Sequence, residues 1–198
     1  MELQTRKLEL WVVLTQKSMH THGRYGNICR RIFKAFSLVF LVFIFLICQV
    51  ALVNPGSMIP WCGGSLLSNQ YVITAAHCTD GHTASSIEIL LGEHDTSDLI
   101  VDRHTISTIT EHENYNRATA DFDFSILKLS TPITFSSVAA PICLPSSESS
   151  LYVDQIATAI GWGHTSSEGT SSSILQEVDV TVISNQQCAN SYGSQIKK

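Results

Sequence analysis

Apolar residues fall in two different patterns along this chain, and they meet near residue 53. Ala35 to Val53 is a continuous apolar run of nineteen residues without charge, softened by Ser37, Cys48 and Gln49. As a helix it would span about 28 Å, close to the hydrocarbon thickness of a bilayer. Beyond it the pattern breaks into short runs punctuated by turns. Asn54-Pro55-Gly56-Ser57 reads as a turn. Ser65-Leu66-Leu67 and Tyr71-Val72-Ile73-Thr74 flank Ser68-Asn69, which predicts a hairpin. Further predicted strands are 87–91, 105–110, 124–129, 157–161 and 176–183. Thr165 to Ser173 is rich in Ser and Gly and predicts a surface loop. Short strands at regular turn-marked intervals predict an all-β barrel or sandwich. The expected organisation is therefore a basic N-terminal segment at 1–34, a hydrophobic helix at 35–53, and a β domain at 54–198.

Charge sharpens the division at the apolar run. Residues 1–34 hold seven Lys and Arg against Glu2 and Glu9, whereas residues 54–198 hold five basic and fifteen acidic residues. Arg30, Arg31 and Lys34 immediately precede the run, and no charge follows it until Asp80. That asymmetry predicts a cytoplasmic N-terminus and a β domain outside. Two readings of the segment stay open: a signal anchor that remains in the membrane, or a cleaved signal peptide with its core near Phe36–Ile47. The acidity of residues 54–198 excludes a nucleic-acid partner. Six cysteines in 198 residues point to an oxidising compartment.

The segment Trp61 to Cys78, WCGGSLLSNQYVITAAHC, resembles the histidine loop of trypsin-like, chymotrypsin-fold serine proteases. Asp123-Phe124-Ser125-Ile126-Leu127-Lys128-Leu129 is similar to the family's aspartate signature. Ala140-Pro141-Ile142-Cys143-Leu144-Pro145 resembles the connector between the family's two barrels, and Ala159-Ile160-Gly161-Trp162-Gly163 the opening of the second. Leu175-Gln176-Glu177-Val178 and Cys188 continue the likeness, which covers residues 61–190.

The resemblance implies an all-β, trypsin-like double β-barrel and a serine-type endopeptidase acting on protein or peptide substrates. It implies a disulfide between Cys62 and Cys78, with no cofactor and no metal. It also implies roles for His77 and Asp123. A serine hydroxyl is a poor nucleophile at neutral pH, so an imidazole must take its proton. A carboxylate must hold the imidazole's other N–H and stabilise the imidazolium that forms. His77 is the expected base and Asp123 the expected carboxylate, with Asp121 a near decoy outside the apolar register. Ser125 is expected to help position that carboxylate or to pack nearby.

The chain also departs from the family pattern. No Gly-Asp-Ser-Gly-Gly occurs in the sequence; the Gly-Ser pairs are Gly56-Ser57, Gly64-Ser65 and Gly193-Ser194, and none sits in the nucleophile's context. Residues 54–60 offer no Ile-Val-Gly-Gly activation end. The expectation is thus a partial protease domain with an incomplete second barrel. Cys143 and Cys188 match cysteines whose partners ordinarily lie elsewhere and are expected to be unpaired here. Glu93 is similar to part of the calcium loop of some members, but the corresponding carboxylate positions are Ile100 and Arg103, so no calcium site is expected. The alternative function is a non-catalytic protease homologue that binds at the cell surface without cleaving.

Overall fold

A computed structural model describes residues 48–98, 102–144, 152–165 and 170–192. Six strands form a closed barrel: β1 (Gln49–Val53), β2 (Cys62–Leu66), β3 (Tyr71–Thr74), β4 (Glu88–Leu91), β5 (Asp102–Glu111) and β6 (Ser125–Leu129). The order around the barrel is β1-β2-β3-β6-β5-β4, closed by antiparallel pairing of β1 with β4. A one-turn helix α1 (Ala76–Thr79) follows β3. After the barrel come an antiparallel pair, β7 (Ile156–Gly161) and β8 (Gln176–Thr181), and a helix α2 (Asn185–Tyr192). The strands expected from the alternating pattern are all present, with ends shifted by a few residues.

The barrel explains why β1 has no alternation. Val50 and Leu52 join the interior cluster with Leu66, Val72, Ile89, Leu127 and Leu129. Ala51 and Val53 face the other way and pack with Leu90, Trp162 and Leu175. All five residues of β1 are buried. A strand covered on both faces reads as a near-continuous apolar run, and in β1 the exception is the buried Gln49 at its first position.

This corrects the expected boundary at residue 54. Gln49–Val53 belongs to the barrel and cannot be the end of a helix running from Ala35. The remainder of that predicted helix, and the basic segment 1–34, lie outside the described residues. No helix among the described residues is long and apolar enough to cross a membrane.

Two backbone positions hold the barrel tight. Gly64 in β2 lies against β3 so closely that a Cβ there would sit 2.6 Å from the Ile73 carbonyl oxygen. Thr74 Oγ1 donates to the Gly63 carbonyl at 2.7 Å, joining the same two strands. At the open end of β1, Arg103 Nη1 donates to Glu88 Oε2 and its Nη2 to the Ser57 carbonyl. Glu88 Oε2 also accepts the Gly56 N–H. The Gly56 N–H and the Arg103 guanidinium hold the Glu88 carboxyl below its usual range.

The β7–β8 pair is docked on the barrel by Trp162 and Leu175 against β1 and β4, and by hydrogen bonds to the loop after β4. Leu175 N–H and Trp162 Nε1–H both donate to the His94 carbonyl, and Thr96 N–H donates to the Ser173 carbonyl. Burial raises the carboxyl of the neighbouring Glu93, partly offset by the His94 N–H. Cys143 is disulfide-bonded. The expectation of an unpaired thiol at Cys143 is therefore corrected: its sulfur is oxidised. Cys188 in α2 is a free cysteine. Cys48 carries a buried thiol that desolvation pushes up to about 11.

Candidate active site

Barrel pairing brings together two residues separated by 46 positions in sequence. β3 and β6 are antiparallel neighbours, with Thr74 opposite Ser125. The chain leaves β3 just before His77 and enters β6 just after Asp123. Both side chains therefore emerge at the same end of the barrel.

The contact between them is direct. His77 Nδ1 lies 2.6 Å from Asp123 Oδ2. The His77 backbone N–H donates to Asp123 Oδ1 at 2.8 Å. One carboxylate thus grips both the ring and the main chain of the same histidine, which fixes ring orientation as well as position. A carboxylate accepts and cannot donate, so Nδ1 carries the proton and the basic lone pair falls on Nε2. His77 and Asp123 are partly exposed, at 30% and 23% of their side chains, so the pair is reachable from solvent.

The loop that carries His77 is pinned on two sides. Cys62, at the start of β2, is disulfide-bonded to Cys78, with 6.2 Å between Cα atoms and a sequence separation of 16. Closing a loop of that size restrains the unfolded chain by about 3 kcal/mol. Thr79 is wholly buried, and its Oγ1 donates to Glu111 Oε1 at 2.8 Å at the end of β5. Trp61, beside Cys62, stacks on the His82 ring with centroids 4.8 Å apart. The ligand atoms of Cys62, His77 and Cys78 lie within 4.8 Å of one another. Both sulfurs are consumed by the disulfide, so neither is a thiolate for a metal.

Asp123 is presented by an unusual backbone. Phe122 has φ 54°, in the left-handed region, as does Ala120. For residues with a Cβ this region costs about 1–2 kcal/mol each. The Phe124 N–H donates to the Phe122 carbonyl at 2.8 Å, folding the chain tightly around Asp123. Ser125 is buried and its Oγ donates to the Thr110 carbonyl at 3.3 Å, so it anchors the start of β6 to β5. The decoy Asp121 accepts from Thr119 Oγ1 and faces its own turn. Of the expected site residues, the structure brings His77, Asp123, Cys62 and Cys78 together. Sequence reasoning missed Thr79, Glu111 and the left-handed Phe122. The first two carry no local motif, and a phenylalanine gives no signal of positive φ.

A closed antiparallel barrel with a disulfide-pinned histidine held by an aspartate defines a chymotrypsin-fold domain of the serine protease type. The family description "Trypsin" matches residues 46–198, and the chain belongs to that family. It is 36% identical over 136 residues to serine proteinase stubble of Drosophila melanogaster, covering 66% of this chain and 17% of that protein. It is 33% identical over 144 residues to a venom serine protease of Polistes dominula, covering 69% of this chain and 51% of the relative. Brachyurin of Leptuca pugilator is 36% identical over 136 residues, covering 67% and 58%. The matches thus span between about a sixth and three fifths of these relatives. The match from residue 46 agrees with the barrel position of β1.

Proposed function

We propose that this domain serves a serine endopeptidase, with His77 as general base and then general acid and Asp123 as the group that orients it. The observation that carries this reading is the double grip of Asp123 on the His77 ring and backbone. In the acylation step a serine Oγ gives its proton to Nε2 as it bonds to the scissile carbonyl carbon. The tetrahedral intermediate collapses as Nε2 returns that proton to the leaving amine. Asp123 lowers the energy of the imidazolium throughout. Water then repeats the sequence on the acyl-enzyme.

The serine comes from polypeptide outside residues 1–198. Ser57 lies in the turn after β1, where it accepts the Ile59 N–H, and Ser65 is buried within β2. Neither has a nucleophile's setting. The domain works outside the cytosol, on protein or peptide substrates, and the Cys62–Cys78 disulfide supports that placement. Anchoring of this domain through the apolar segment remains part of the proposal only for the residues before Cys48.

The test is the transcript beyond the codon for Lys198, followed by expression of its in-frame product. We expect an in-frame Gly-Asp-Ser-Gly-Gly and labelling of the product by a fluorophosphonate probe. His77→Ala should abolish labelling, and Asp123→Asn should lower kcat by about 10,000-fold, because the imidazole is then held in the wrong tautomer. A stop codon directly after Lys198 sinks the catalytic reading and favours the alternative, a homologue that binds without cleaving.

A further inference from the structure

We propose that His112 is a positioning residue for Asp123, acting through the aromatic rings on either side of that aspartate. The inference rests on the reading of His77 and Asp123 as the base and its orienting carboxylate. His112 is the first residue beyond β5. Its ring stacks on Phe122 with centroids 4.7 Å apart and planes 5° apart. It also meets Phe124 at 4.6 Å with a tilt of 58°. Phe122 and Phe124 are the two chain neighbours of Asp123. The main chain repeats the connection, since the His112 N–H donates to the Phe124 carbonyl at 3.1 Å.

These contacts answer a question the backbone raises. Phe122 is held at φ 54°, which an isolated phenylalanine avoids. Such a conformation persists only where its surroundings over-determine it. Nothing in the ring of Phe122 demands burial, for the residue is 54% exposed. Its flat contact with His112 is the interaction that rewards the left-handed turn. Stacked aromatic pairs at this separation are favourable beyond simple burial. The turn in turn aims both carboxylate oxygens at His77. His112 is itself fixed, because its Nδ1 accepts the Asn114 N–H at 3.1 Å.

The ring and the hydrogen bond can be separated by two substitutions in the full chain. His112→Phe keeps a ring for the stack and removes the Nδ1 acceptor. His112→Asn removes the ring and keeps a side-chain acceptor for Asn114. The readout is the low-field proton resonance of His77 Nδ1–H in NMR, which reports the bond to Asp123. A change in overall stability alone would not move it. We expect the resonance to persist in His112→Phe and to be lost in His112→Asn, with both variants retaining dispersed barrel resonances.

Persistence in His112→Asn overturns the proposal, as does loss in His112→Phe. Unfolding of either variant also overturns it, because the role would then be global stability. Absence of the resonance in the unsubstituted chain is a different failure: it rejects the His77–Asp123 reading itself.

Discussion

The six-stranded barrel and the β7–β8 pair are both built from antiparallel strands, yet they bury their side chains very differently. Every residue of β1 is buried, and every residue of β8 is exposed. β1 has a strand on each side and packing partners on each face. β8 pairs only with β7 among the described residues. The aliphatic side chains of β8 show the consequence: Val178 is 49% exposed and Val180 36%. Ala157 and Ala159 opposite them in β7 are buried. Closure, more than strand composition, decides which apolar residues stabilise this fold. Both His77 and Asp123 hang from the closed unit, so their geometry inherits its rigidity.

The largest effects should therefore come from the barrel interior. Leu127 in β6 is fully buried between β3 and β5. Leu127→Ala leaves a cavity in a closed shell and should cost about 2–5 kcal/mol. Urea unfolding followed by tryptophan fluorescence measures it. A loss well under 1 kcal/mol would mean that the interior collapses freely, and the contrast with β8 would disappear. Replacing Cys62 and Cys78 together by Ala should cost about 3 kcal/mol by releasing the loop they close. The same unfolding series, run without reductant on the double variant and on the unsubstituted chain, checks that figure.

Gly64→Ala tests closure at one backbone contact. The added methyl would meet the Ile73 carbonyl at 2.6 Å, and that carbonyl belongs to the strand leading to His77. Overpacking of this kind costs about 1–3 kcal/mol. We expect a lower Tm and a weaker His77 Nδ1–H resonance together. A Tm shift without any change at His77 would separate barrel packing from site geometry.

Much of this arrangement is legible in the sequence, for identifiable reasons. Strands with one exposed face alternate, so β3, β6 and β7 stand out. The residues Trp61 to Cys78 carry the histidine in a dense local motif. β1 was hidden by its own success at burial. A short strand buried on both faces, apolar from Val50 to Val53, looks the same as the end of the apolar run before it. The turn residues Asn54-Pro55-Gly56 were the available signal, since a turn ending an apolar run before Cys62–Leu66 is also the mark of a strand pair. The Phe122 turn and its contact with His112 depend on packing between β5 and β6 and leave no trace in either segment alone.

Acid should loosen the two regions unequally. Glu88 is held below its ordinary pKa of 4.5 by the Gly56 N–H and by Arg103. A depressed carboxyl releases its proton more readily when folded, so its stabilisation is complete above the unfolded value. It is lost as pH falls through the lower, folded value. Glu93 has the opposite sign, because burial raises it. Its protonated form is favoured by the fold, so stability falls as pH rises from 4.5 toward its folded value. Glu88→Gln should remove the acid-side loss below about pH 4.5 and weaken the barrel by about 1 kcal/mol above it. Urea midpoints for both proteins across that range measure the difference. Parallel curves would show that the Glu88 cluster does not control the acid limb.

The smallest effect should come from β8. Val178→Thr keeps the β-branched shape favoured in strands and replaces a half-exposed methyl by a hydroxyl that water can reach. No buried polar group is created, because the site is open. We expect a change within about 0.5 kcal/mol, the range of ordinary surface substitutions. The comparison becomes decisive when the same change is made at Val72 in β3. Val72 is fully buried inside the barrel, where a hydroxyl would lose its water. Val72→Thr should therefore cost about 1–3 kcal/mol, the penalty seen for uncompensated polar burial in proteins. Equal effects at the two positions would mean that β8 is covered in solution, and that closure does not distinguish the two regions. Unequal effects in the stated order would locate the fold's stability in the barrel that holds His77 and Asp123.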